Sequence, residues 1–224
     1  MTQLKFVDFI ERDNLQQKDK LFICSNTTWD EYEAILQEKA NSSAYRISFL
    51  NGVLKIMSPS RNHEIIKDFI YLLIVAYCDA IELDYYPLGS TTLKQKDKSV
   101  GKEPDTSFCF NNLKQIPDLA VEVIFSSGSV EDLEKYQKLD VKEVWFLRME
   151  TLLSKELVPH SRRINNCLEI YVLINDIYQK QSKSENLADL DAKLLNKYIR
   201  QVLTGNPRIL KKAFLKEISQ KLSC

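Results

Sequence analysis

The sequence predicts an α/β protein, an α+β arrangement in which a mixed sheet is flanked by helices. Three observations carry this. Apolar residues recur at helical spacing from Ile65 to Tyr77, two apolar-rich runs meet at Asn51-Gly52, and LAVEVIF (119–125) is almost wholly apolar. The first pattern is one face of a helix, the second is a hairpin signal, and the third suits a central strand buried on both faces. The order helix, hairpin, helix, strands, helix, strand suits a sheet covered by helices.

Taken along the chain, Thr28-Trp-Asp-Glu31 reads as a capping box opening a helix to about Lys39. Tyr45–Leu50 and Val53–Met57 form the hairpin strands. Ser58-Pro59-Ser60 breaks the sheet and starts a long helix to about Leu83. Gly89–Gln95 reads as a strand, the charged stretch Lys94–Glu103 as a loop, and Asp105–Phe110 as a short strand. After LAVEVIF, Ser129 is expected to cap a helix over about Val130–Leu139, followed by a strand at Val141–Leu147. Leu168–Leu173 and Ile177–Gln181 read as strands joined at Asn175-Asp176, and Asp191–Leu203 and Pro207–Leu222 as helices. The polar stretch from Arg148 to Cys167 carries no clear signal.

At 224 residues the chain suffices for one large core. The expected organisation is a single domain over 1–224, with its core at about 28–180 and a C-terminal helical extension at about 190–222. Basic and acidic side chains balance at 31 each, so any grip on nucleic acid must come from a local patch. Five cysteines, an odd number without a CxxC, point to thiols in a reducing compartment. Two histidines exclude a His-rich metal site. The first twelve residues lack a signal-peptide pattern, and the longest apolar run, Phe69–Tyr77, is far short of the roughly 20 residues a membrane span needs. A cytoplasmic location is expected.

Two carboxylates stand out. Asp105 follows Pro104 at the start of a strand, and Glu122 lies in the middle of LAVEVIF. An ionised carboxylate inside an apolar strand is costly unless it is paired or bound to a cation. If the two strands are neighbours, Asp105 and Glu122 converge. Two carboxylates completed by carbonyl and water oxygens are a usual way to hold Mg²⁺. The alternative is a Lys or Arg facing Glu122. Asp118 lies on the same strand face as Glu122, as a supporting carboxylate or a plain strand-entry residue.

The stretch from Trp29 to Leu147 resembles the Uma family of restriction-endonuclease-like proteins, through FLNGVLKIMSPSRNHE (49–64), EPDTSF (103–108), PDLAVEV (117–123) and LEKYQKLDVKEVWF (133–146). Weaker similarity continues at LEIYVL and LADLDAKLLNKYI. The resemblance implies a restriction-endonuclease-like PD-(D/E)xK core and Mg²⁺-dependent hydrolysis of DNA, with Mn²⁺ as a substitute metal. In that pattern Asp105 and Glu122 match the metal-binding carboxylates.

The chain departs from the pattern in four places. The fold's usual lysine position, two residues after the acid, is Ile124. The family tends to carry a lysine four residues before the helix tyrosine, and that position, before Tyr136, is Asp132. Ser48 stands where many members have Glu, and the insertion after Leu147 is longer than the family's turn. Lys135, three residues from Asp132, is the substitute catalytic lysine; Lys102 and Lys138 are further cations. Glu64, opening the long helix, is a third catalytic carboxylate, with His63 beside it to touch a phosphate or a water.

Two functions follow. One is an endonuclease in which the metal polarises the phosphoryl oxygen and activates water while a lysine stabilises the developing charge. The other is a catalytically impaired nuclease fold that binds nucleic acid or regulates. A homodimer is expected because cutting both strands calls for two sites, with Ile209, Leu210, Phe214, Leu215 and Ile218 as the interface stripe.

Overall fold

Asn51 and Gly52, both at positive φ, close the hairpin between β2 (Arg46–Leu50) and β3 (Val53–Ser58), as a tight two-residue turn requires. The computed structural model describes residues 19–39, 42, 44–124, 129–148 and 167–223, with backbone only at 129–131. Phe125, the side chain of Ser129 and the stretch 149–166 therefore lie outside the described residues.

The hairpin belongs to a five-stranded antiparallel sheet in the order β1-β3-β2-β6-β5. Its other strands are β1 (Lys20–Cys24), β5 (Leu93–Gln95) and β6 (Val100–Lys102). Helix α1 (Trp29–Lys39) opens on the reciprocal capping box: Thr28 N–H donates to Glu31 Oε2 at 2.8 Å, and Glu31 N–H to Thr28 Oγ1 at 3.2 Å. Its Tyr32 and Ile35 pack on Ile47, Phe49, Leu54 and Ile56 of the sheet.

A second, six-stranded sheet runs β11-β10-β9-β8-β7-β4. It contains β4 (Tyr85–Pro87), β7 (Thr106–Phe110), β8 (Leu119–Ile124), β9 (Glu143–Arg148), β10 (Leu168–Ile174) and β11 (Ile177–Gln181). Only the β8–β9 pair is parallel. Every residue of β8 is buried, as its continuous apolar run implies.

The two faces of β8 meet different helices. Leu119, Val121 and Val123 share a core with α2 (Arg61–Ala80), α4 (Ala192–Ile199) and α5 (Pro207–Leu222). Ala120 and Ile124 share one with Tyr136 of α3 (Ser129–Lys138). By strand alternation Glu122 lies on the α3 side.

The structure departs from the sequence reading in several places. One mixed sheet was expected, and the described residues form two sheets. The expected loop 94–103 contains β6, and the expected strand 89–95 shortens to Leu93–Gln95 after a turn at Gly89, where φ is positive. Helix α2 ends at Ala80, before a positive-φ residue at Glu82. The proposed interface stripe is largely internal. Leu210, Phe214 and Ile218 are buried in the α2–α4–α5 core, so their apolar character is explained within one chain. Among the described residues no helix is long and apolar enough to cross a membrane.

Candidate active site

Between Lys102, the last residue of β6, and Thr106, the first of β7, the chain crosses from one sheet to the other. This short passage lines up Lys102, Glu103 and Asp105, each under 10% exposed. Glu103 anchors it: it accepts from Ile47 N–H and Thr92 Oγ1, both at 2.8 Å, and pairs with Lys39. With its carboxylate spent on those partners, Glu103 acts as a structural latch.

Strand β7 pairs antiparallel with β8 through Thr106↔Val121. One further step of that register sets Asp105 across from Glu122. Asp105 Oδ2 accepts from Val123 N–H at 2.7 Å. Its Oδ1 lies 3.0 Å from His63 Nε2 and 3.8 Å from Arg46 Nε. The histidine contact is a buried ion pair.

His63 is fully buried in the first turn of α2. Its other ring nitrogen, Nδ1, meets Asp19 Oδ2 at 2.9 Å, and Asp19 also accepts from Ser60 N–H at 2.7 Å. Burial alone would depress the imidazole, but Asp105 and Asp19 outweigh it and raise its pKa to about 10. For Asp105, burial acts upward, while His63, Lys102 and the Val123 N–H pull the carboxyl down to about 2.

Glu122 has partners on both oxygens. Lys102 Nζ donates to Oε2 at 2.9 Å, and the Tyr136 hydroxyl donates to Oε1. Even so, burial, with Asp105 and Asp132 nearby, holds its pKa up at about 7 against the pull of Lys102.

Lys135 donates to Asp132 Oδ1 at 2.8 Å, and the two are three residues apart on α3. Burial and Lys102 lower the Lys135 pKa against the pull of Asp132. Glu64 sits at the rim, paired with Lys67 and 3.6 Å from Arg46 Nη2. Asp118 stands at the far end of β8, where it accepts from Phe110 N–H and Lys114. It braces a turn there.

A family model described as "Uma2: Putative restriction endonuclease" matches residues 29–199, about three-quarters of the chain. The chain belongs to the Uma2 family. No curated protein matches it. The Uma2 match begins at the first residue of α1 and ends at the last residue of α4. The two-sheet α/β architecture is that of this restriction-endonuclease-like family.

Of the residues singled out from the sequence, the structure brings together Asp105, Glu122 and His63, with Glu64 linked through Arg46. Lys135 is turned to Asp132, and the ammonium on Glu122 is that of Lys102. Sequence reasoning missed Arg46 and Tyr136 as partners of the pair, and Asp19 as the partner of His63. A signal for Tyr136 was present, since it is the helix tyrosine of the family pattern; none marked Asp19.

A divalent cation fits the donors in part. Asp105 and Glu122 are both buried and lie across from each other on adjacent strands, and their oxygens keep lone pairs beyond the contacts they make. Among the described residues no group of three or more His, Cys, Asp or Glu side chains is disposed around a metal. Carbonyl and water oxygens would therefore complete the shell, as is common for Mg²⁺.

Proposed function

We propose that this Uma2 protein is a divalent-metal-dependent endonuclease that hydrolyses DNA phosphodiester bonds. The observation that carries the reading is the buried Asp105–Glu122 pair, set on adjacent strands at the seam between the sheets. Asp105 and Glu122 would hold Mg²⁺ or Mn²⁺. The metal would supply Lewis acidity toward a phosphoryl oxygen and a more acidic bound water.

The chain's own residues fix those two acids. His63 and the Val123 N–H hold Asp105, and Tyr136 holds Glu122. Lys102 is the ammonium nearest the pair and the group best placed to stabilise negative charge developing on a phosphate. Lys135 stands behind it as the brace of Asp132, and Glu64 stands at the rim. The duplex's own symmetry favours a two-fold dimer as the cutting unit.

A second reading has one observation in its favour: both acids already face a cation of the protein, His63 for Asp105 and Lys102 for Glu122. That arrangement suits a nuclease fold that binds nucleic acid without cutting. Incubation with supercoiled and single-stranded DNA in Mg²⁺ or Mn²⁺ separates the two. Nicking by the wild type, lost to background in Asp105→Asn and in Glu122→Gln while both variants stay folded, supports the endonuclease. Metal binding with no cleavage of any DNA form moves the assignment to the second reading.

A further inference from the structure

We propose that Lys102 is a displaceable counter-cation: its ammonium, paired with Glu122, moves toward Asp132 when a divalent cation binds. The inference rests on the metal-dependent reading above and concerns how the site is loaded.

Both oxygens of Glu122 are taken, one by Lys102 at 2.9 Å and one by the Tyr136 hydroxyl. Each oxygen keeps a second lone pair, but a divalent cation on Oε2 would sit beside the Lys102 ammonium, and the repulsion between like charges favours moving the ammonium away. Tyr136 is fully buried, packed in the α3 core, and its ring cannot shift without opening that core. Lys102 sits at the end of a flexible four-carbon stem on the last residue of a three-residue strand. It is the partner that can leave.

An ammonium buried this deeply does not leave for an apolar space. Asp132 supplies the alternative. It lies one turn before Tyr136 on the same face of α3, and the Lys102 ammonium is 5.9 Å from the centre of the Tyr136 ring. Burial works against ionisation of Asp132, yet Lys102 and Lys135 hold its carboxyl below the usual range, so it is an anion already in the field of Lys102. Opposite Lys102 on β2 stands Ser48, a small uncharged side chain that offers no competing carboxylate.

Metal affinity should then be set by how tightly residue 102 holds Glu122 and by whether residue 132 can receive it. The test is Mg²⁺ titration calorimetry on the full chain, with every variant also measured at a second, more alkaline pH so that a proton on Glu122 is not mistaken for a competing cation. Thermal melts of each variant report folding. Lys102→Met removes the competitor and should tighten Mg²⁺ about tenfold, within the range usual for coupled binding. Lys102→Arg, whose planar fork grips a carboxylate in two places, should weaken it. Asp132→Asn removes the receiving anion and should also weaken it, but only while Lys102 is present; in the Lys102→Met background it should have little effect.

Weaker or unchanged Mg²⁺ binding in folded Lys102→Met overturns the inference. So does an Asp132→Asn effect of equal size in both backgrounds. If Lys102→Met does not fold, the Lys102→Arg and Asp132→Asn results decide, and tighter or unchanged binding in either rejects it. If neither wild type nor any variant binds Mg²⁺ or cuts DNA, the metal-dependent reading has failed and the inference with it. Normal binding with the wrong variant order removes the inference alone.

Discussion

His63 places a fully buried imidazole between two carboxylates, Asp19 on Nδ1 and Asp105 on Nε2. Its pKa is raised to about 10 from an ordinary 6.5, so the folded state binds the proton more tightly than the unfolded chain does. The stabilisation is complete below about pH 6.5 and is lost as pH rises toward 10. Asp105, held down to about 2 chiefly by this same partner once burial is overcome, shows the interaction from its acid end: it is lost as pH falls from 3.8 toward 2. Glu122 has the opposite sign. Its raised pKa makes ionisation in the folded state unfavourable, so stability drifts down between 4.5 and about 7. For the metal-free protein, His63→Gln should melt well below the wild type at about pH 6, and the gap should narrow by about pH 10.5. A gap independent of pH would mean that the buried imidazole is neutral.

Strand β6 is the element on which the site depends, and it has the least strand-like sequence. Val100-Gly101-Lys102 lies in a stretch rich in lysine and aspartate, yet it pairs with β2 on one side and β5 on the other. Gly101 is what lets α1 close over it. A Cβ at this position would fall 2.0 Å from Tyr32 Oη, and Tyr32 is fully buried in a stack on Phe49. Gly101→Ala should therefore destabilise by about 1–3 kcal/mol, the usual penalty of forcing extra volume into a packed core. Because the hydroxyl is the nearest obstacle, Tyr32→Phe should recover part of that loss. Denaturant unfolding of the single and double variants would show it as a coupling between the two changes. Additive losses would mean that Tyr32 is not the obstacle.

Over the whole molecule, the C-terminal helices complete the core that begins at the sheet. Phe214 is fully buried and meets Tyr198 of α4 edge to face, with ring centres 5.5 Å apart. Leu210 and Ile218 lie in the same apolar cluster as Ile70 and Leu73 of α2. Phe214→Ala should cost about 3–5 kcal/mol of stability, the range for emptying a buried aromatic site. The molecular mass in solution should not change with it. A shift in mass without a loss of stability would return this stripe to the role of a subunit interface.

What the sequence determined by itself is local. The capping box at Thr28 and Glu31, the positive-φ turn at Asn51-Gly52, the start of α2 after Ser58-Pro59-Ser60, and β8 as a doubly buried strand each follow from rules acting over a few residues. The prominence of Asp105 and Glu122 was legible for the same reason, since a carboxylate beside proline or inside an apolar run is conspicuous without its surroundings. Tertiary structure decided the rest. The division into two sheets, the pairing of polar β6, and the internal partner of the α5 stripe depend on contacts between segments far apart in the chain. The choice of lysine was of that kind too. Lys135 is close to Glu122 in sequence but has Asp132 within one turn of its own helix, whereas Lys102 reaches Glu122 across the seam between the sheets. An ammonium pairs with whichever carboxylate the fold brings within about 3 Å, and sequence spacing fixes that distance only inside a single element.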